Sequence, residues 1–267
     1  MLKTRLILLI SAVTVTGALY LLPKAVVEND ADSMADSTVQ AAPGHEDVTA
    51  GQQASINALR VLLTDETSKE RNNPIFADSL GSLYAAAGRP DSSAMWFERA
   101  SLLDPNSSRV LKAADAWYLA HDLSLDPEVA AERAGRAQQL YKRLLEKSPQ
   151  DADLKVKLAM TYMSSAAPMQ GVTMLREVLA AQPEHEQALL NMGKLSIRSG
   201  QYAKAVDWLS RLTKAHPENL EGQLLFGKAL AETGEKEQAR AQYERTRKMT
   251  NDPAVQQQLE QFIKELN

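Results

Sequence analysis

Pro149, Pro183 and Pro217 stand 34 residues apart, and the residues around them keep the same step. Leu158, Met192 and Phe226 share that pitch, each followed by a small residue, Ala159, Gly193 or Gly227. Gly171, Ala205 and Ala239 align on it too, as do Leu175, Leu209 and Tyr243, then Val178, Leu212 and Thr246. Gly200 and Gly234 are again one step apart, and an earlier unit keeps the internal spacing in Leu80, Gly81, Tyr84, Gly88, Phe97, Ala100 and Pro105. A period of this length dictates a stack of like units, each packed on its neighbours, rather than one central core.

The residue types at these positions have physical reasons. A large apolar residue, a small one beside it and another apolar residue one turn on make one face of a first helix. The glycine at mid-unit suits a helix stop, where the backbone turns left-handed. The small residue in the second helix lets the two helices approach closely, and Phe97 or Tyr243 fills the space that remains. The proline closes the unit because it cannot continue the second helix.

These residues resemble tetratricopeptide repeats over roughly residues 73–252, most strongly over 152–250. The resemblance implies a right-handed superhelix of helix pairs with a concave groove that binds peptides or protein segments. The segments LYLLPKAVV, IFADSLGSLY, KLAMTYMSSAAPMQGVTMLREVL and NDPAVQQQLEQFIKEL are similar to membrane-anchored tetratricopeptide proteins of the Bacteroidota, a group that implies a location more than an activity. The expected fold is therefore all-α: a solenoid of about five helix-turn-helix repeats with a capping helix at each end, preceded by one transmembrane helix.

The departures from the pattern carry their own expectations. The proline after Pro105 comes 44 residues later, at Pro149, which leaves ten extra residues between Tyr118 and Ala137. Asp126, Pro127 and Glu128 read as an N-cap, a first-position proline and a first-turn acid, so an overlong helix over 127–147 is expected. It is either a docking ridge, to which Trp117 and Tyr118 would contribute if exposed, or a tolerated insertion. Ser164 to Pro168 replace the glycine turn of the third unit with a reshaped loop. Val255, Leu259, Phe262, Ile263 and Leu266 predict a C-terminal cap, and Ile56, Leu59, Leu62 and Leu63 an N-terminal one.

Ahead of the repeats the charge changes abruptly. Residues 1–27 hold Lys3, Arg5 and Lys24 and no acid; residues 28–50 hold Glu28, Asp30, Asp32, Asp36, Glu46 and Asp47 and no base. Residues 6–22 form an uncharged run that, at about 1.5 Å per residue, reaches about 25 Å, enough for the hydrocarbon layer with snorkelling flanks. A charged start and apolar middle also suit a cleaved signal peptide, but the run continues through Leu19, Tyr20, Leu21 and Leu22, which favours a retained anchor. The basic side precedes the span, so the N-terminus is expected in the cytoplasm and the remainder outside it, in a periplasm for an inner-membrane protein. The domain expectation is an anchor over 1–27, an acidic flexible linker or docked arm over 28–50, and a solenoid over 51–267.

Composition removes several functions. There is no cysteine, hence no disulfide and no thiol-ligated zinc or iron–sulfur site, and the four histidines are scattered. A net charge of −4 offers no field for nucleic acid. No phosphate loop, dinucleotide fingerprint or serine elbow is present, so neither an enzymatic role nor a cofactor is expected. What remains is a protein or peptide partner. Carried over from the repeat family, the inner face of the first helices receives Val156, Met160 and Met163, then Leu190, Asn191, Lys194 and Arg198, then Leu224 and Lys228. Methionines beside lysine and arginine suit an amphipathic or acidic-ended segment; alternatively the methionines belong to the interrepeat core. The expected function is an anchored extracytoplasmic adaptor. Alternatives are an assembly factor resembling the modules of cytochrome c maturation, a chaperone-like accessory with exposed inner-face methionines, and a homo-oligomer stacked through the insertion.

Overall fold

The computed structural model describes residues 49–163, 165 and 167–266. Among them are twelve helices and no strand. α1 (Ala50–Thr64) precedes five helix pairs: α2 (Pro74–Ala86) with α3 (Pro90–Leu103), α4 (Ser107–Asp122) with α5 (Pro127–Lys147), α6 (Ala152–Met163) with α7 (Pro168–Ala181), α8 (Glu186–Arg198) with α9 (Tyr202–Ala215), and α10 (Leu220–Glu232) with α11 (Lys236–Arg247). α12 (Pro253–Glu265) ends the stack. The five units, both caps and the long α5 lie where the sequence places them. The apolar run 6–22 and the acidic segment up to residue 48 lie outside the described residues. Among the described residues no helix is long and apolar enough to cross a membrane.

First and second helices start differently. The first helices α2, α4, α8 and α10 are each capped by a side chain, from Asn73, Asn106, His185 and Asn219, that accepts a hydrogen bond from a first-turn amide. The second helices α3, α9 and α11 have no such cap, because each leaves a tight turn that already ties up the backbone. Gly88, Gly200 and Gly234 occupy that turn with φ of 65°, 70° and 86°. After each glycine the next amide reaches back to the preceding helix: Arg89 N to Tyr84 O at 2.9 Å, Gln201 N to Ser196 O at 2.8 Å, Glu235 N to Leu230 O at 2.9 Å. A side chain at these φ values would be strained, which is why glycine recurs on the pitch.

Within a unit the helices meet over a second glycine. A Cβ on Gly81 would lie 2.6 Å from the Phe97 ring, one on Gly193 2.5 Å from Leu209, and one on Gly227 2.4 Å from the Tyr243 ring. These contacts fill the space between paired helices and bury Leu209 completely. Each helix packs on the one before and the one after it, and the successive first helices α6, α8 and α10 also touch one another. The apolar interior runs along the stack as three successive clusters: α1 with the first unit, the second unit with its neighbours, and the third to fifth units.

Candidate functional site

The first helices are joined across each unit boundary by a base and an acid. Arg109 Nε donates to Asp78 at 2.7 Å, Lys157 Nζ lies 2.7 Å from Asp115, His185 Nε2 stands 3.3 Å from Asp153, and Lys194 Nζ lies 2.6 Å from Glu221. Arg109 also meets Asp104 of its own neighbourhood. The Arg109–Asp78 pair is largely buried, while the lysine pairs are partly exposed, and pairs open to solvent contribute about 0–1 kcal/mol each.

The structure sorts the residues expected on the inner face into three groups. Val156, Leu190 and Asn191 are buried, the first two inside the cluster of the third to fifth units. Buried in this way, these three side chains are not open to a ligand in a groove. Met160 packs against the same cluster, and Met163 puts its sulfur 2.7 Å from where a Cβ on Gly171 would stand. Both methionines are half-buried and serve the interior. Leu224 is half-buried, Lys194 is held by Glu221, and Arg198 and Lys228 are exposed.

Arg198 also bears on a tyrosine of the second unit. Burial raises the Tyr118 phenol above its ordinary pKa, the Asp122 carboxylate adds to the rise, and the Arg198 guanidinium opposes it. A cation of the fourth unit is thus felt by a tyrosine of the second. Lys228 helps to line an open pocket of about 340 Å³ between α10, α11 and α12, with Glu232, Lys236, Tyr243, Phe262 and Glu265. The Tyr243 and Phe262 ring centroids are 5.4 Å apart at its floor. Burial, then Glu232 and Glu265, push the Tyr243 phenol up to about 12. Sequence spacing alone does not disclose this pocket, because it forms only where the cap packs on the last unit, although Lys228, Tyr243, Phe262 and Leu266 of its lining each stand out in the sequence for another reason.

Trp117 does not join a docking face. It is buried, its Nε1 donates to Glu98 at 2.8 Å, and the Arg136 guanidinium lies 4.7 Å from its ring centroid. Tyr118 is half-buried. Of the histidines, His121 is buried with Nδ1 2.9 Å from Ala130 O, and His216 Nε2 lies 2.7 Å from Glu184 O. Among the described residues there is no group of three or more His, Asp or Glu placed to hold a metal ion.

A family model for the tetratricopeptide repeat matches residues 168–219, which span α7 to α9. No curated protein matches the chain. Among solved structures, yeast Tom70 is 13% identical and aligns over 80% of this chain with a TM-score of 0.56, but the aligned part is 46% of Tom70, less than half of that protein. A thermophilic tetratricopeptide protein of Thermus thermophilus is 18% identical over 71% of this chain and 98% of its own, with a TM-score of 0.53. PilW, a type IV pilus biogenesis factor, is 14% identical over 78% of this chain and 90% of its own, with a TM-score of 0.55. At these identities the likeness shows the fold alone: the described residues form a tetratricopeptide-type solenoid.

Proposed function

We propose that the chain is a membrane-anchored adaptor whose solenoid lies outside the cytoplasm and captures an acidic or acidic-ended segment of a protein partner. The carrying observation is that Arg198 and Lys228 are exposed on first helices of the fourth and fifth units, while the other cation there, Lys194, is held by Glu221. Charge on such a face positions a carboxylate-bearing segment and raises its rate of encounter. The pocket beside Lys228 adds an apolar floor of Tyr243 and Phe262 for one anchoring side chain.

The anchor and its orientation rest on residues 6–22 and on Lys3 and Arg5 before them. The half-buried Met160 and Met163 do not favour the chaperone-like alternative, which needs them exposed.

Both parts are tested in one strain. The chain has no cysteine, so Ser37→Cys creates a single thiol. Labelling of that thiol by a membrane-impermeant maleimide in intact cells is expected; protection until lysis overturns the orientation. A photo-crosslinking residue at Leu224 is expected to give a discrete adduct that Arg198→Ala with Lys228→Ala abolishes. An adduct indifferent to that pair overturns the groove.

A further inference from the structure

The second unit turns a corner unlike the others. α4 ends at Asp122 and α5 begins at Pro127, and Leu119, Leu123, Leu125 and Val129 around that corner are all exposed, Leu125 by 94% and Leu123 by 56%. Leu119 and Leu123 are one turn apart and share a face; Leu125 lies in the link and Val129 in the first turn of α5. A single exposed leucine needs no explanation, whereas four large apolar side chains in one short stretch mark an interaction surface.

The corner holds them outward by a built turn. The Asp126 carboxylate accepts from Glu128 N at 2.8 Å and from Val129 N, and Ser124 Oγ donates to Asp126 O at 3.1 Å. His121 bridges to Ala130 O, while Arg133 donates to Ala120 O at 2.9 Å and to Asp91 at 2.5 Å. Residues 113–132 contain Asp115, Asp122, Asp126, Glu128 and Glu132 and no lysine or arginine. Asp115 pairs with Lys157 and Glu132 with Arg136, which leaves Asp122 and Glu128 exposed at the rim.

We propose that this corner docks a basic amphipathic segment of a partner protein, its apolar side chains set on Leu119, Leu123, Leu125 and Val129 and its lysines or arginines on Asp122 and Glu128. The rim charge selects this occupant. An anionic lipid surface would be repelled, and a second copy of the chain would bring the same acids face to face. The surface lies on the second unit, whereas Arg198 and Lys228 belong to the fourth and fifth, and it takes a segment of opposite charge, so it goes beyond the groove reading.

The test uses the full chain and two labelled synthetic peptides of about 18 residues, with leucine at helical spacing and either lysine or glutamate elsewhere. Fluorescence anisotropy is expected to show the leucine–lysine peptide binding at least about tenfold tighter than its glutamate twin. Leu123→Ser with Leu125→Ser should weaken it about tenfold without moving the unfolding midpoint, since both leucines are exposed. Asp122→Lys with Glu128→Lys should reverse the preference, and Lys228→Ala should leave it unchanged. Equal binding of the two peptides overturns the proposal, as does indifference to the leucine pair. So do leucine-dependent binding to mixed phosphatidylcholine and phosphatidylglycerol vesicles, and self-association that the serine pair abolishes.

Discussion

In the fourth unit Gly193 leaves room for Leu209 to lie flat on α8, and in the first and fifth units Gly81 and Gly227 do the same for the rings of Phe97 and Tyr243. In the second unit the equivalent position carries Asp115, and the equivalent aromatic is Tyr141, whose hydroxyl donates to that carboxylate at 2.7 Å. Lys157 of the next unit binds the same carboxylate at 2.7 Å. One packing problem therefore has two solutions. The first, fourth and fifth units have no room there for more than a hydrogen atom and depend on close contact, and the third carries the small Ala159. The second unit admits a charged group and depends on satisfying it, and its carboxylate at the same time joins two units.

The largest test of this contrast is in the fourth unit. Leu209→Ala should cost about 2–5 kcal/mol in chemical denaturation, as buried leucine truncations do. Gly193→Ala alone should also destabilise, because its Cβ would meet Leu209 at 2.5 Å. If the fit is steric, the double substitution costs clearly less than the two single costs together, since each change makes room for the other. Simple additivity would break the steric account.

Next in size is Asp115→Ala, which strands the Tyr141 hydroxyl and should cost about 1–3 kcal/mol. Tyr141→Phe in that background removes the stranded group, so the double variant should regain part of the loss. A Tyr141→Phe substitution that makes matters worse in the Asp115→Ala background would show that the slot is held by contact after all.

The smallest effect is one of pH. Burial raises both phenols, but beside Tyr141 the Asp115 carboxylate adds to the rise through its hydrogen bond, and beside Tyr243 the added cause is the charge of Glu232 and Glu265. The folded Tyr243 phenol stands at about 12 against an ordinary 10.0, so its folded state favours the protonated form. The stability linked to it is complete below pH 10.0 and is lost as pH rises from there through about 12. Tyr243→Phe should remove that part of the alkaline decline and leave the neutral-pH midpoint nearly unmoved; an unchanged alkaline profile would remove the phenol from the account.

Period was the most legible property of this chain, because packing slots and left-handed turns restrict residue type at fixed spacing. The extent of α5 was legible too, since Asp126, Pro127 and Glu128 write a helix start in local chemistry. The inner face was legible only in its charged members. Val156 and Leu190 sit at positions that a first helix can present either to a groove or to the interior, and the packing of the units decides between them. The ion pairs between units were hidden for a related reason: Asp78 with Arg109 spans 31 residues and Asp115 with Lys157 spans 42, so no constant spacing announces them. The Asp115–Tyr141 pair could have been found, because placing the second unit on the pitch puts an acid in the glycine column and a tyrosine in the aromatic one.

α12 has a consequence best put in the language of polymers. A row of like units carries no internal instruction to stop, because each leaves the next an apolar site to occupy. Here Leu259 is fully buried and Phe262 lies against Tyr243, so that site is filled, while Gln257, Glu260, Gln261 and Lys264 are exposed. The helix is a chain stopper: sticky on one side, wetted on the other. Among the described residues it closes the row after the fifth unit and covers the face on which a sixth would sit.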